Sequence, residues 1–261
     1  MIDKSKLDPR FVTDYSVGSF YYSFVIGCNK DAVKECPKTW ADLLDPRFKG
    51  KMIIADPANS STALTILWGV EKMLGADGLK RLASNIKVTS AAATVLRSVG
   101  QGEFAIGLTF ESNAYAYVAG GQKEISLVYP ADGTFSTAEY LALIKGAPAG
   151  ELAKRACDHL LSKDVQTELL LAAYRRPSRS DIDVSKLVQL PALSSIKVFP
   201  IDEEEAGARV AKGEEIDPDL LVAASEAGGL CLRMVEVHES LSIDDPVRRC
   251  DGFEGDWARL V

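Results

Sequence analysis

The sequence predicts an α/β fold, because short apolar strands alternate with amphipathic helices over much of its length. Residues 51–55 form an apolar run of the kind found in buried parallel strands. A polar junction at 56–62 leads from this run into a helix with one apolar stripe, made of Ala63, Ile66, Leu67, Val70 and Leu74. Strands at 104–109 and 125–129 follow a second helix, whose apolar residues are Ala92, Val95, Leu96 and Val99. This alternation favours a largely parallel sheet.

The remaining elements are less distinct and fit the same class. Residues 20–29 are rich in aromatic and β-branched types and predict a strand, and residues 138–145 predict another. Two helices are expected at 151–161 and 164–174, with Ser162 as the N-cap of the second. The first ten residues are polar and predict an arm. After Pro177 the pattern breaks into short pieces bounded by proline.

Length and charge exclude several classes of protein. The chain has 261 residues, enough for one large domain or two small lobes. Its net charge of −7 argues against nucleic-acid binding, although a local pocket can still hold an anion. No run approaches the ~20 apolar residues of a membrane span. Serine-hydrolase, phosphate-loop and zinc-protease motifs are absent, so we expect a protein that is not an enzyme and uses no cofactor.

The cysteines and the opening residues leave alternatives open. The five cysteines, at positions 28, 36, 157, 231 and 250, form no C-x-x-C pair, and two histidines are too few to suggest a zinc site. Most of the cysteines are expected to be buried thiols, but Cys28 and Cys36 could bridge in an oxidising compartment. The first residues lack the layout of a secretory leader. The chain is therefore cytosolic, or has lost a leader, or begins part-way through a longer product.

Several short phrases together carry a family resemblance. They are Asn29-Lys30-Asp31, the run from Pro37 to Pro46, Lys49-Gly50-Lys51, Asp56-Pro57 with Ser60-Ser61, Gly102-Glu103 with Ala105-Ile106-Gly107, Tyr129-Pro130 with Asp132-Gly133-Thr134, Ile144-Lys145-Gly146-Ala147-Pro148, Leu160-Leu161-Ser162 with Gln166, and Arg175-Arg176-Pro177. Each phrase is common alone. In this order and spacing, over residues 20–180, they resemble the extracellular solute-binding proteins of iron(III), 2-aminoethylphosphonate and sugar-phosphate importers.

The resemblance implies a type 2 periplasmic binding fold, in which two lobes are joined by two crossover strands. It divides the chain into an arm and first crossover (1–29), lobe two (30–124), the second crossover with what remains of lobe one (125–210), and a tail of uncertain structure (211–261). The family's leading segment has no counterpart in the sequence, so the first lobe should be incomplete. We expect apolar surface on that lobe to cause self-association, or to be covered by the tail.

The same resemblance, together with local chemistry, indicates ligand-binding residues. Ser60, Ser61 and Thr62 stand where a strand passes into a helix, a place suited to an anion, although plain N-capping explains them equally. Glu111 and Ser112 follow a strand end at the carboxyl edge of the sheet, where open α/β sheets bind ligands. The remaining candidates lie on the two crossovers and are Tyr22 on the first and Asp132 and Thr134 in the turn of the second.

A metal site is a less favoured alternative. In the ferric-binding branch of the family, an adjacent tyrosine pair near this position holds the metal. In this chain Tyr115 and Tyr117 are separated by Ala116. They would share a face on a strand and diverge on a helix, and two half-buried tyrosines are the more ordinary interpretation.

The sequence as a whole therefore predicts the solute-binding component of an ABC importer. Its location would be the periplasm and its partners a small ligand and an inner-membrane permease, with no nucleic acid. The predicted ligand is an oxyanion such as a phosphate or phosphonate compound, with ferric iron as the second choice. The alternative function is a ligand-sensing domain of the same fold that acts in signalling.

Overall fold

A computed structural model describes residues 4–57, 60–146 and 148–199. All of them belong to one compact unit, Met1–Gly229. The tail predicted at 211–261 lies outside the described residues. Within the described ranges, no helix is long and apolar enough to cross a membrane.

The described chain is a mixed α/β structure, as the sequence predicts. Its strands are β1 (Ser16–Asn29), β2 (Met52–Ala55), β3 (Ile86–Thr89), β4 (Ile106–Phe110), β5 (Ile125–Val128), β6 (Thr134–Ala142), β7 (Arg176–Pro177) and β8 (Val198–Phe199). Its helices are α1 (Ser61–Asn85), α2 (Ala92–Gly100), α3 (Glu111–Ala119), α4 (Gly150–Leu160) and α5 (Lys163–Ala173). The strands form one sheet in the order β3-β2-β4-β1-β6-β8, with β5 and β7 also bonded to β1.

The long strand β1 connects the two ends of this sheet. Near its carboxyl end it pairs with β4 on one side and β5 on the other, with Phe24 opposite Phe110 and Ile26 opposite Val128. Near its amino end it pairs with β6 and β7. Residues 20–29 lie within β1, and the strands before and after the 129–133 turn, β5 and β6, both run antiparallel beside it.

The expectation of a largely parallel sheet is wrong. Only β3-β2-β4 and the short β6–β8 pair are parallel, whereas β1 is antiparallel to all four of its partners. The reason is the connections. The helices α1 and α2 return the chain to start parallel neighbours, whereas the described residues between β1 and β2 contain two short 3-10 helices and no α-helix that could do the same.

Most predicted helices are present, and two elements escape local sequence patterns. Ser162 caps α5 by accepting a hydrogen bond from the Val165 N–H at 3.4 Å, as predicted. The first helix continues beyond its predicted stripe to Asn85 through a kink at Gly75, whose φ of 71° suits glycine. The strand β3 and the helix α3 have no distinct periodicity and are not predicted by the sequence.

The polar opening of the chain packs on the sheet and does not project from it. Leu7 and Phe11 are buried, and the Phe11 ring stacks on the Tyr21 ring with centroids 5.0 Å apart. Two apolar residues within a charged stretch are therefore sufficient to dock it.

The main core fills both faces of the sheet around β1. Glycines allow α2 to approach closely, because a Cβ at Gly107 would lie 2.9 Å from Val95 and one at Gly27 would lie 3.0 Å from Leu96. In the same core Trp40 is fully buried, and its indole N–H donates to the Gly133 carbonyl at 2.8 Å. This bond ties the segment after β1 to the turn before β6.

The segment from the end of β6 into α4 is poorly covered. Ile144 and Leu152 are 80% and 66% exposed, and Leu143 is also exposed. None of the described residues of α4 is buried. These side chains give the segment exposed apolar surface, and the incompleteness of the first lobe stays a prediction.

Cys28 and Cys36 form a disulfide, with Cα atoms 6.0 Å apart. Cys28 is fully buried in β1, so the bridge fixes the turn after β1 to the core. Cys157 is the free cysteine of the described residues and is half-buried. The sequence left the first pair open between bridge and thiols, and the structure assigns the bridge.

Replacing Cys36 by serine should lower the free energy of unfolding by about 2–3 kcal/mol, because the cross-link no longer restricts the unfolded chain. Urea unfolding of wild type and Cys36→Ser measures the difference, with Cys157→Ser as the matched control. A reductant should destabilise wild type and the control but leave Cys36→Ser unchanged. An unfolding midpoint of wild type that ignores the reductant would contradict the assignment.

Candidate functional site: helix N-termini at the carboxyl edge of the sheet

Three helices begin at one edge of the sheet. The parallel strands β3, β2 and β4 end at the same edge, because their carboxyl ends point the same way. Each is followed by a helix: α1 begins at Ser61, α2 at Ala92 and α3 at Glu111. The N-terminus of a helix carries unpaired N–H groups and the positive end of its dipole. This edge therefore offers several donors to a negatively charged group.

The three helix starts differ in their caps. The Ser60 hydroxyl accepts a hydrogen bond from the Ala63 N–H at 3.3 Å, while Ser61 is exposed and free to contact solvent. The residues before α2 and α3 are Ala91 and Phe110, and neither provides a side-chain cap. First-turn N–H groups of these two helices thus lack a side-chain acceptor within the described chain.

The first turn of α3 contains a polar atom without a partner. Ser112 is 4% exposed, and its hydroxyl oxygen makes no hydrogen bond within the described residues. A buried hydroxyl without a partner costs free energy, on the order of 1–3 kcal/mol. An oxygen atom brought by a ligand to this turn would satisfy it.

Glu111, the first residue of α3, takes part in a buried ion pair. The Arg176 guanidinium donates to its two carboxylate oxygens at 2.5 and 2.7 Å, and both side chains are 1% exposed. The Tyr129 hydroxyl donates to the same carboxylate at 2.5 Å. Arg176 also donates to the Pro191 carbonyl at 2.9 Å. The carboxylate is therefore fully engaged within the protein.

The electrostatics of this cluster follow from burial and from the ion pair. Burial raises the pKa of Tyr129 far above its usual range, and the negative charge of Glu111 raises it further. Burial alone would lower the pKa of Arg176, but the hydrogen bond and charge of Glu111 raise it overall. Burial also raises the pKa of Tyr21, which lies opposite Arg176 on β1. Both tyrosines consequently remain neutral near pH 7.

Three other predicted site residues make internal contacts. The Asp132 carboxylate accepts from the Trp40 N–H at 3.0 and 3.2 Å, and the buried Thr134 hydroxyl donates to the Phe24 carbonyl. Tyr22 is buried, with its ring centroid 5.2 Å from that of Phe110. These contacts bring Tyr22 next to the start of α3. Asp132 and Thr134 stabilise the turn between β5 and β6 through these hydrogen bonds. Contact of either residue with a ligand stays a prediction.

The tyrosines considered as a metal pair lie on a helix, where they diverge. Tyr115 packs edge-on against Tyr174, with centroids 4.8 Å apart, and its hydroxyl accepts from the Gln189 N–H at 3.0 Å. Tyr117 lies against Gly100. The described part of the chain contains no group of three or more histidine, cysteine or acidic residues that could hold a metal ion.

Local sequence patterns indicate no functional role for Arg175, Arg176 or Tyr129. The two arginines form a charged pair before a proline, which usually indicates a surface. Arg176 is nevertheless buried, because it pairs with Glu111. That partner lies 65 positions earlier in the chain, so local sequence does not reveal it. The available signal in the sequence is Glu111, an acidic residue that directly follows an apolar strand. A carboxylate that is buried at such a place requires a cation as its partner.

The chain is similar to known bacterial solute-binding proteins. A family model described as "Bacterial extracellular solute-binding protein" matches residues 9–207. An uncharacterized protein of Haemophilus influenzae is 34% identical over 172 residues, covering 61% of this chain and 49% of that protein. A Salmonella typhimurium protein named "Putative 2-aminoethylphosphonate-binding periplasmic protein" is 25% identical over 187 residues, 63% of this chain and 51% of its own length. The chain spans about half the length of these relatives.

A solved structure shares the fold. The periplasmic binding protein AfuA from Actinobacillus pleuropneumoniae, with fructose-6-phosphate bound, superposes with a TM-score of 0.72 and 25% identity. The match covers 87% of this chain and 74% of that one. The type 2 periplasmic binding fold predicted from the sequence is thus confirmed.

Breaking the buried ion pair should be costly. Replacing Arg176 by methionine leaves Glu111 buried without its cation, and we expect a loss of about 3–5 kcal/mol in the free energy of unfolding. The double variant Glu111→Gln/Arg176→Met should lose less than the sum of the single changes. Urea unfolding of the four proteins gives the coupling energy.

The matched control for this cycle is Arg47→Met. Arg47 pairs with Asp45 at 3.3 Å on the surface, where an ion pair contributes about 0–1 kcal/mol. If Arg176→Met lowers the free energy of unfolding no more than Arg47→Met does, the ion pair between Glu111 and Arg176 does not stabilise the fold.

Proposed function

This chain belongs to the bacterial extracellular solute-binding protein family, and on that premise we propose that it captures a small anionic solute for an ABC importer. The observation that carries the proposal is the convergence of three helix N-termini on one sheet edge, two of them without a side-chain cap. Oriented N–H donors bind an oxyanion without a compensating positive charge. An acidic protein can therefore hold an anion there.

The chemistry of the edge favours an oxyanion over ferric iron. The hydroxyls of Ser60, Ser61 and Thr62 add donors to α1, and the unpartnered Ser112 hydroxyl adds one to α3. A metal would require several anionic oxygens in one place. Tyr115 and Tyr117 diverge, and the Glu111 carboxylate is occupied by Arg176.

The similar proteins support the same ligand class. The Salmonella relative is named for a phosphonate, and the AfuA structure contains a sugar phosphate. Both compounds carry a tetrahedral phosphorus oxyanion.

Capture would take place between two lobes. In this proposal residues 30–124 form one lobe, and β1 with the β5–β6 segment crosses between the lobes. The described part of 125–210, which ends at residue 199, contributes to the other lobe. The antiparallel pairing of β1 with β5 and β6 supports these crossovers. Asp132, Thr134 and Tyr22 then lie on the crossovers, next to the cleft.

The proposed location is the periplasm and the proposed partner an inner-membrane permease, with no enzymatic step. The disulfide between Cys28 and Cys36 supports an oxidising compartment, since such bonds are rare in the cytosol. The Salmonella relative is named as a periplasmic protein. Binding and release would be the whole of the chemistry.

Ser61 tests the anion site directly. Ser61→Ala should weaken an anionic ligand by roughly 1 kcal/mol or more, because a hydrogen bond to a charged group is lost. Ser61→Asp should abolish binding, because it puts a negative charge where the anion would lie. Isothermal titration calorimetry with 2-aminoethylphosphonate, fructose 6-phosphate, inorganic phosphate and citrate measures both effects, beside ferric citrate.

The control for Ser61→Asp is Ser84→Asp, an exposed serine near the other end of the same helix. An aspartate in the first turn of a helix stabilises the helix, so Ser61→Asp should not unfold the protein. Loss of binding without loss of thermal stability is the expected pattern. Tight ferric binding with no oxyanion binding, or unchanged anion affinity in Ser61→Asp, would refute the proposed site.

We also propose that the exposed segment at the end of β6 and in α4 mediates self-association. Ile144 and Leu152 are the most exposed of its apolar side chains, and such surfaces usually become interfaces. Sedimentation velocity should show a dimer or larger species whose population falls in Ile144→Lys but not in Val118→Lys, an exposed position on α3. A wild-type protein that sediments only as a monomer would contradict this proposal.

A further inference from the structure

Two adjacent arginines, one just before β7 and one in it, have different surroundings. Arg176 is opposite Tyr21 on β1 and pairs with Glu111. The Arg175 guanidinium carbon lies 4.8 Å from the centroid of the Phe20 ring. Since neighbouring residues of a strand point to opposite faces, Phe20 and Tyr21 place the two guanidinium groups in different environments.

The charge of Arg175 is only partly compensated. Its Nη1 donates to the Glu139 carboxylate at 3.3 Å, and Glu139 is itself exposed. The Arg175 side chain is 27% exposed. Its other guanidinium N–H groups have no hydrogen-bond partner within the described chain. A partly exposed ion pair of this kind is weak, so a stronger anion could displace Glu139.

The orientation of Arg175 is nevertheless fixed. Its guanidinium lies over two aromatic rings, Phe20 at 4.8 Å and Phe110 at 5.4 Å, and cation–π attraction holds it there. The main chain at Arg175 is also fixed, because its N–H donates to the Leu169 carbonyl at 3.3 Å at the end of α5. A guanidinium held in this way loses little freedom when it binds a ligand.

The position of Arg175 relates it to the proposed anion site. Phe110 is the residue that immediately precedes α3, so the guanidinium over its ring lies beside the start of that helix. Tyr22 contacts the same ring from β1. The first turn of α3 also carries the buried, unpartnered hydroxyl of Ser112. The Arg175 guanidinium therefore lies next to the first turn of α3, and both have N–H or O–H donors available to a ligand.

We propose that Arg175 is a ligand-binding residue that contacts the anionic group of the solute and selects for oxyanions able to accept two parallel hydrogen bonds. This inference deepens the proposed function and rests on it. The planar fork of N–H donors matches a phosphate, phosphonate or carboxylate, whereas Glu139 occupies one of those donors in the absence of ligand. Glu139 competes with the ligand for Arg175, so the anionic group of the ligand replaces the Glu139 carboxylate when it binds.

The test compares three variants by calorimetry with 2-aminoethylphosphonate and fructose 6-phosphate. Arg175→Gln should weaken binding about tenfold or more, as expected for loss of a charge-assisted bidentate contact. Arg175→Lys keeps the positive charge but loses the parallel N–H donors. Its affinity should lie between those of wild type and Arg175→Gln. Glu139→Gln should bind more tightly than wild type, because the competing carboxylate is neutral.

The increase in affinity for Glu139→Gln is a result that a merely structural arginine would not produce. Thermal unfolding of each variant shows that the protein is folded, and Arg175→Lys serves if Arg175→Gln is not. If Ser61→Asp abolishes binding while Arg175→Gln and Arg175→Lys bind as tightly as wild type, the role of Arg175 is refuted and the anion site stands. If wild type binds none of the anions, the proposed function fails and the role of Arg175 with it.

Discussion

The buried ion pair between Glu111 and Arg176 is the interaction on which the arrangement of the site depends. Removing two charges from water costs several kcal/mol per ion, and only good geometry with further hydrogen bonds offsets that cost. The partners of this pair come from α3, β7 and the segment after β5, so satisfying them fixes three parts of the chain at once. The start of α3 is thereby held in place. A negative charge at that helix start is also neutralised, which leaves its remaining donors for a ligand.

Local sequence patterns were sufficient for much of the fold. The apolar stripe from Ala63 to Leu74 and the capping serine at 162 each report a helix through contacts within a few residues. The junction at 56–62 predicts a change from strand to helix for the same reason, and α1 does begin at Ser61. Tyr115 and Tyr117 show the limit. Their relative direction depended on whether the segment is strand or helix, and its composition did not decide.

The parts that could not be predicted depend on contacts distant in sequence. The direction of β1 relative to its neighbours is set by which strands it joins, and periodicity within 20–29 contains no information on that. The same holds for the partner of Glu111, 65 positions away, and for the stacking of Arg175 on Phe20 and Phe110. The charged pair Arg175-Arg176 has the appearance of a surface feature. Only the sheet places one arginine in a buried pair and the other beside the start of α3.

The continuity of β1 has a mechanical consequence. Ser16–Asn29 is one strand of 14 residues, with a shift in its register against β6 between Gly18 and Phe20. It is hydrogen-bonded at one end to β4 and β5 and at the other to β6 and β7. A flexible loop between two bodies would let them swing freely, with little restoring force. A shared strand must instead twist and bend along its length, so a change of angle between its ends stores elastic energy and is reversed when the load is removed. The two ends of β1 are therefore coupled elastically and do not move independently.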